Sequence, residues 1–485
     1  MRISRVRNHI GLALGAAAFS SLLAACAVGP NYKRPHEQLT PFHNAPTAAD
    51  TAERVSPPLD RWWTGFNDPL LVTVIERALD QNLSLAAAYA RVSQSRAAAS
   101  GAGAALLPTL DLNGSATAEK QSLVGPIGSI ASGLPTFQRN EREFTVGPAA
   151  SWEIDLFGGL RRRAAAARAE AQAAQADGFG TRVSVVADAA DAYFQVRGYQ
   201  ARLAIAQNQI DVDEHLLRLV HARYEAGAAQ GREVAQAEAL LKQALASVPP
   251  LRIGLEQQLN RLDVLMGAQP GTHAQELAAP REIPTIPAIA GNDPSEILRR
   301  RPDIIAAERR LAASNERIGA ALSDYYPKVS LTGALGYDNV TGGHLFRGAA
   351  FQDIGTGAVR WRLFDFGKIN AEVAQARGAN AEALAEYRQA VLRAAEDVEN
   401  ALMALAQTET HRVQLQDEVQ ALLKVRNLSE QAYKAGSITL TDVLDADRQL
   451  LSAQDELEAN RAGVARAAVG VFRACGGGWT LPHDT

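Results

Sequence analysis

The scarcities of this sequence narrow it first. Only two cysteines occur in 485 residues, Cys26 and Cys475, near opposite ends of the chain, which argues against a disulfide framework. Three methionines, Met1, Met266 and Met403, give no support to a thioether-lined path for soft metals. Aromatics make up 6% of the residues, so a thick aromatic core is not expected. The 49 basic residues against 53 acidic ones leave a net charge of -4, and nucleic-acid binding gets no electrostatic support. No HExxH, Walker loop or GxSxG elbow is present. The nine histidines are scattered, and His215 and His221, six apart, do not share a helix face, so no metal site is expected. Cys475 reads as a buried small hydrophobe and the following Gly476-Gly477-Gly478 as a loose tail, so the chain is not read as an enzyme. After Cys26 no run of 18 apolar residues remains. If the mature chain crosses a membrane, it must do so as a β-barrel.

The N-terminus is a targeting segment. Arg2, Arg5 and Arg7 precede an apolar stretch over 10–25 that is too short to span a bilayer and fits a secretory signal. It ends in Leu23-Ala24-Ala25-Cys26, small residues directly before a cysteine, as in bacterial lipoprotein signals. Cys26 is therefore the expected lipidation site, carrying a diacylglyceryl and an acyl chain, and no other cofactor is expected. Ala27 in the next position points to the outer membrane.

The body of the chain is duplicated. Leu107-Pro108-Thr109-Leu110 resembles Tyr326-Pro327-Lys328-Val329 at an offset of 219. Trp152 to Gly158 resembles Trp361 to Gly367, and Tyr224-Glu225-Ala226-Gly227 resembles Tyr433-Lys434-Ala435-Gly436, both at 209. The ten extra residues of the first copy fall in 119–142, which is rich in Gly, Ser and Pro and reads as a loop. Period-two alternation predicts strands at about 109–118, 143–156, 328–337 and 354–366. Such segments fit transmembrane β-strands or, equally, a soluble two-hairpin sheet with one wet face; the lipoprotein signal favours the membrane. Four strands cannot close a barrel, so a membrane sheet must be shared among chains, and three copies give twelve strands. Trp152 and Trp361, near strand ends, are candidate membrane-interface aromatics.

From about 159 to 226, and again from 367 to 435, there is no proline and helix formers dominate. Each run predicts a helix of roughly 100 Å. Gly227 and Gly436 read as helix C-caps from which a second helix returns. The expected fold is thus mainly α with a β-barrel portion, two helical hairpins and an internal duplication.

These landmarks resemble the TolC-like outer-membrane efflux proteins, in the lipoprotein branch typified by OprM and NodT. The resemblance rests on Leu23-Ala24-Ala25-Cys26, Val28-Gly29-Pro30-Asn31-Tyr32, Trp62-Trp63 with Asp68-Pro69, Arg300-Arg301-Pro302-Asp303, Phe364-Asp365-Phe366-Gly367 and Asp442-Val443-Leu444-Asp445-Ala446. It implies a homotrimer with a twelve-stranded barrel and a twelve-helix periplasmic tunnel in the outer membrane of a Gram-negative bacterium. Its partners would be a periplasmic membrane-fusion adaptor and an inner-membrane resistance-nodulation-division pump, with no nucleic acid involved. The implied division is a signal peptide at 1–25, a lipid-anchored equatorial segment at 26–66, repeat 1 at 67–267, a Pro-rich equatorial linker at 268–295, repeat 2 at 296–470 and an equatorial tail at 471–485. The hairpin tips lie near 227–233 and 436–442.

The expected function is passive conduction of small molecules from the pump to the outside. Protein export alongside an ABC transporter, and a non-conducting coiled-coil scaffold, are the alternatives. The resemblance places a periplasmic gate at Asp442 and Asp445, which share a helix face, with Arg448 as a possible partner. It also suggests a Tyr433–Glu233 link holding the entrance shut. Without it, these charges read as the solvated face of a helix.

Overall fold

The structure is a computed structural model that describes residues 27–36, 40–44, 57–135, 137–288 and 299–480. Cys26 lies outside the described residues. The elements in chain order are a 3₁₀ segment Leu59–Phe66, α1 Pro69–Gln81, α2 Leu83–Ala104, β1 Thr109–Lys120, α3 Pro126–Ala131, β2 Asn140–Ile154, α4 Gly159–Glu225, α5 Gly231–Leu265, α6 Ala274–Leu277, α7 Pro302–Leu322, β3 Lys328–Asn339, β4 Phe351–Arg360, α8 Lys368–Lys434 and α9 Leu440–Ala474. The duplication is visible in these bounds. Both α4 and α8 have 67 residues, both α5 and α9 have 35, and each second copy lies 209 residues after the first. No described helix is long and apolar enough to cross a membrane.

Among the described residues, one compact unit comprises 27–35, 93–173 and 308–386. It holds a four-stranded antiparallel sheet in the order β1-β2-β3-β4. The register pairs Thr109 with Ser151, Ile154 with Val329 and Lys328 with Arg360. Pro108 and Pro327 stand just before β1 and β3 and have no N–H to donate, which ends the ladders there. That is why β4 stops at Arg360, short of the expected 354–366, and why Trp361 and Leu363 follow the strand rather than lie in it. The loop expected over 119–142 is also shorter, because β1 continues to Lys120 and β2 begins at Asn140.

The starts of the two long helices are capped alike. The Asp155 carboxylate accepts from the N–H groups of Leu160 and Arg161, at 3.0 and 2.8 Å. The Asp365 carboxylate accepts from those of Gly367 and Ile369, at 3.0 and 2.9 Å. The segment following Cys26 is held by Arg162 of α4, which donates to the carbonyls of Val28 and Gly29 and to Asn31 Oδ1 while pairing with Glu316. Gly29 has φ +98°, and a Cβ there would meet Gly319 Cα of α7 at 2.5 Å, so only glycine fits.

The other unit takes in the described residues within 36–92, 174–307 and 387–480. Its aromatic centre is small and concentrated, with Trp62 stacked on Phe472 at 5.0 Å and Phe66 tilted against Phe194 at 4.9 Å. Arg301 ties segments distant in sequence together. It donates to the carbonyls of Ala394 and Ala474, and it pairs with Asp303 and Asp397, each at 2.8 Å. It thereby satisfies a carbonyl at the C-terminus of α9.

Candidate functional site

Within the second unit, the ends of the two hairpins bring together the residues expected at a gate. Each long helix ends in a left-handed glycine, Gly227 at φ +70° and Gly436 at φ +75°. Gly227 N–H donates to Tyr224 O and Ala228 N–H to Arg223 O; Gly436 N–H donates to Tyr433 O and Ser437 N–H to Ala432 O. The helix returns after five residues in both copies.

Between the tips lies an apolar cluster of Val220, Ala237, Tyr433, Leu440 and Val443. It draws on all four helices, so it is a contact between hairpins as well as within them. Tyr433 is 4% exposed, and the Arg223 guanidinium stands over its ring at 4.6 Å. Its hydroxyl is buried with no hydrogen-bond partner. Burial raises the pKa of that hydroxyl, with Arg223 opposing and Glu233 reinforcing the shift. The expected Tyr433–Glu233 link is therefore a proximity of charge rather than a hydrogen bond, and the ring's packing under Arg223 is what holds Tyr433 in place.

Asp442 and Asp445 sit on the first turns of α9 but have different partners. The Asp442 carboxylate reaches back to the N–H of Thr439 at 2.9 Å and to its hydroxyl at 2.7 Å, closing a capping box. These hydrogen bonds from Thr439 lower its pKa and keep it ionised. Asp445 accepts from Arg448 at 2.6 Å, both half-exposed. The two carboxylates thus stand at the tip of this hairpin with different local partners.

Two buried carboxylates lie further along the helices, and the sequence reading passed over both. Asp213 of α4 is 1% exposed and Asp447 of α9 is 3% exposed. Asp447 accepts from Arg426 Nε of α8 at 3.0 Å, and Arg426 also pairs with Glu430 at 3.2 Å. Asp213 accepts only from Gln209, at 2.8 Å, and its second oxygen is buried without a partner. Burial, reinforced by the Asp447 charge, pushes the Asp213 carboxyl up to about 6. A signal for these residues exists in the heptad. Ala206, Asp213 and Val220 follow one another at seven-residue intervals, as do Leu440 and Asp447, and all five are buried. The aspartates occupy seam positions otherwise filled by apolar residues.

In the sheet unit the two expected interface tryptophans occupy matching places. Trp152 Nε1 donates to Leu106 O at 3.0 Å and Trp361 Nε1 to Tyr325 O at 2.9 Å. Each thereby ties the end of one strand to the residues just before the preceding strand. Their rings remain 37% and 55% exposed. Among the described residues no cluster of His, Cys, Asp or Glu suited to a metal ion occurs.

An outward-exposed antiparallel sheet without closure, together with paired helical hairpins of this length ending in an acidic tip, defines a subunit of an outer-membrane channel. The chain matches the family model described as outer membrane efflux protein over residues 74–268 and 294–477, and it belongs to that family. It is 32% identical to the pyoverdine export outer membrane protein OpmQ of Pseudomonas aeruginosa over 419 residues, covering 86% of this chain and 87% of that protein. It is 31% identical to nodulation protein T of Rhizobium leguminosarum bv. trifolii over 445 residues, covering 90% and 91%. Its fold is similar to the solved structure of the outer-membrane channel OprN, with a TM-score of 0.85, 33% identity, and coverage of 94% of this chain and 100% of that one. The protein is accordingly an outer-membrane efflux channel component with an internally duplicated, mainly helical fold.

Proposed function

We propose that three copies of this chain assemble into one conduit, their sheets closing into a twelve-stranded barrel and their hairpins into a helical tunnel. The observation that carries this is the pair of free edges. Strands β1 and β4 each have a partner on one side only, and an open edge in hydrocarbon costs several kcal/mol per unpaired group. Their side chains agree, since Leu110, Leu112, Ile354 and Val359 are all more than half exposed in the single chain. Helices of 67 residues, about 100 Å long, suit a tunnel reaching across the periplasm.

In this reading the chain performs no chemistry and carries no nucleotide motif. Transport is driven by an inner-membrane pump of the resistance-nodulation-division type, engaged through a periplasmic adaptor. Small-molecule cargo is supported by the pyoverdine export named for OpmQ. Cys26 would bear the lipid, and Arg162 would fix the segment that follows it. Asp442 and Asp445 would line the entrance as a ring of six carboxylates, favouring cations.

The test is disulfide trapping of the strand edges. Leu112→Cys on β1 is combined in turn with Gln352→Cys, Ile354→Cys and Thr356→Cys on β4. One pairing should give a covalent trimer under oxidising conditions. Failure of every pairing to link two chains, in protein shown to be in the membrane, would refute the shared barrel.

A further inference from the structure

We propose that Asp213 and Asp447 form a proton-operated catch between the two helical hairpins: the hairpins stay together while Asp213 carries a proton and part when it ionises. The inference rests on the channel reading only for its consequence, which is opening of the entrance; the catch itself is a property of the helices.

The geometry sets up the conflict. Asp213 lies on the first hairpin, and Asp447 and Arg426 lie on the second. The Arg426 guanidinium is taken up by Asp447 and Glu430, and no cation pairs with Asp213 among the described residues. Arg426 is hydrogen-bonded to Asp447, and Asp213 is left with an orphaned buried oxygen. With Asp213 protonated, Asp447 and Arg426 balance. With Asp213 ionised, an uncompensated negative charge is buried beside another, an arrangement that persists only if water or a cation enters. Water has a way in, because Asp447 lines a cleft with His215, Leu219, Glu430 and Lys434. Separating α4 from α8 and α9 along that cleft hydrates both carboxylates.

The charged groups around the pair are few. On α9, Asp447 faces Asp213, while Arg448 is engaged with Asp445. On α8, Arg426 and Glu430 act on Asp447, and Lys434 pairs with Glu430 at 2.7 Å. On α4 itself Asp211, Glu214, His215 and Arg218 are exposed, and Arg218 lies 3.7 Å from Glu214. On α5 the nearby charges, Glu238 and Lys242, are exposed, and Ala237 and Ala244 are the buried residues.

The sign follows from linkage. The folded carboxyl, at about 6, lies above the ordinary carboxylate value, so the hairpin contact is fully favoured in acid and weakens as pH rises through about 6. The entrance is therefore held shut at mildly acidic pH and eased open towards neutrality.

The experiment places spin labels at Ala229→Cys on the first tip and Ser437→Cys on the second, in the full membrane-inserted protein with Cys475 left buried. The distance between labels is followed from pH 5 to pH 8, with conductance measured in parallel. The distance should lengthen with a midpoint near 6 in the otherwise native chain. In Asp213→Asn, neutral at every pH, it should stay short throughout. In Asp447→Asn, which removes the repelling charge, the midpoint should fall. Histidine is the other side chain that changes charge in this range, so His215→Gln serves as the control and should leave the response unchanged. A pH-independent distance, an unchanged midpoint in Asp213→Asn with native trimer melting, or abolition of the response by His215→Gln would each overturn the catch. A distance response without any conductance would sustain the catch and refute the channel reading instead.

Discussion

Tyr433 separates two ways of holding the entrance shut. If its hydroxyl is the lock, Tyr433→Phe should open the channel. If the buried ring is the lock, as its packing and its partnerless hydroxyl favour, Tyr433→Ala should open it and Tyr433→Phe should not. Replacing a buried aromatic with alanine costs about 3–5 kcal/mol in a well-packed core. Here only part of that bears on separating the hairpins, since Val220 and Ala237 lie on the first hairpin and Leu440 and Val443 share the second with Tyr433. Half of the core value is about 1.5–2.5 kcal/mol. Arg223, also on the first hairpin, adds about 0.5–1 kcal/mol through the ring face. Tyr433→Ala should therefore shift the closed–open balance by about 2–3.5 kcal/mol, roughly thirtyfold to four-hundredfold. Tyr433→Phe keeps the ring and deletes a buried hydroxyl that has no partner, so it should leave gating unchanged and melting equal or about 1 kcal/mol improved. Single-channel open probability and trimer melting, measured on both variants, decide the matter. Opening in Tyr433→Phe as large as in Tyr433→Ala would refute the reasoning.

Other substitutions probe other parts. Arg301→Ala orphans the Ala474 carbonyl and releases two half-exposed carboxylates, and should cost about 2–3 kcal/mol in thermal unfolding, with Arg301→Lys recovering part of it. Gly29→Ala should free residues 27–35 without unfolding the body, because its φ of +98° and the approach to Gly319 are incompatible with a side chain; limited proteolysis should cut near residue 30 in the variant alone. Asp442→Ala with Asp445→Ala removes the tip carboxylates and their preference for cations, so block by added multivalent cations should weaken, read as the concentration that halves the current. Asp442→Ala alone also loses the capping box on Thr439, and fraying of the first turn of α9 should appear as faster amide exchange over 439–443.

Much of the fold was legible in the sequence because duplication repeats its punctuation. Gly227 and Gly436 mark the ends of α4 and α8, and both lie where the left-handed backbone demands glycine. The proline-free runs gave helices correct to within about two residues at each end. Strand ends were less legible. Alternation continues past Arg360 through Trp361 and Leu363, but a strand needs a partner, and Pro327 ends the supply of ladder donors. The resemblance and the shared helix face single out the tip carboxylates, and the spacing also offers Arg448, which does pair with Asp445; the capping box of Thr439 on Asp442 is set by the local backbone and has no such signal. Asp213 was passed over because it stands in a polar run, Asp211-Val212-Asp213-Glu214-His215, in which most side chains are solvated. Its seven-residue spacing from Ala206 and Val220, and the burial it shares with them, distinguish it from its neighbours.

The measurement that bears most directly on the channel is planar-bilayer conductance of the purified, full-length protein, recorded beside Tyr433→Ala. Small, flickering currents in the native protein that lengthen in the variant are expected. Silence in both, from trimers shown to have inserted, would contradict a gated conduit.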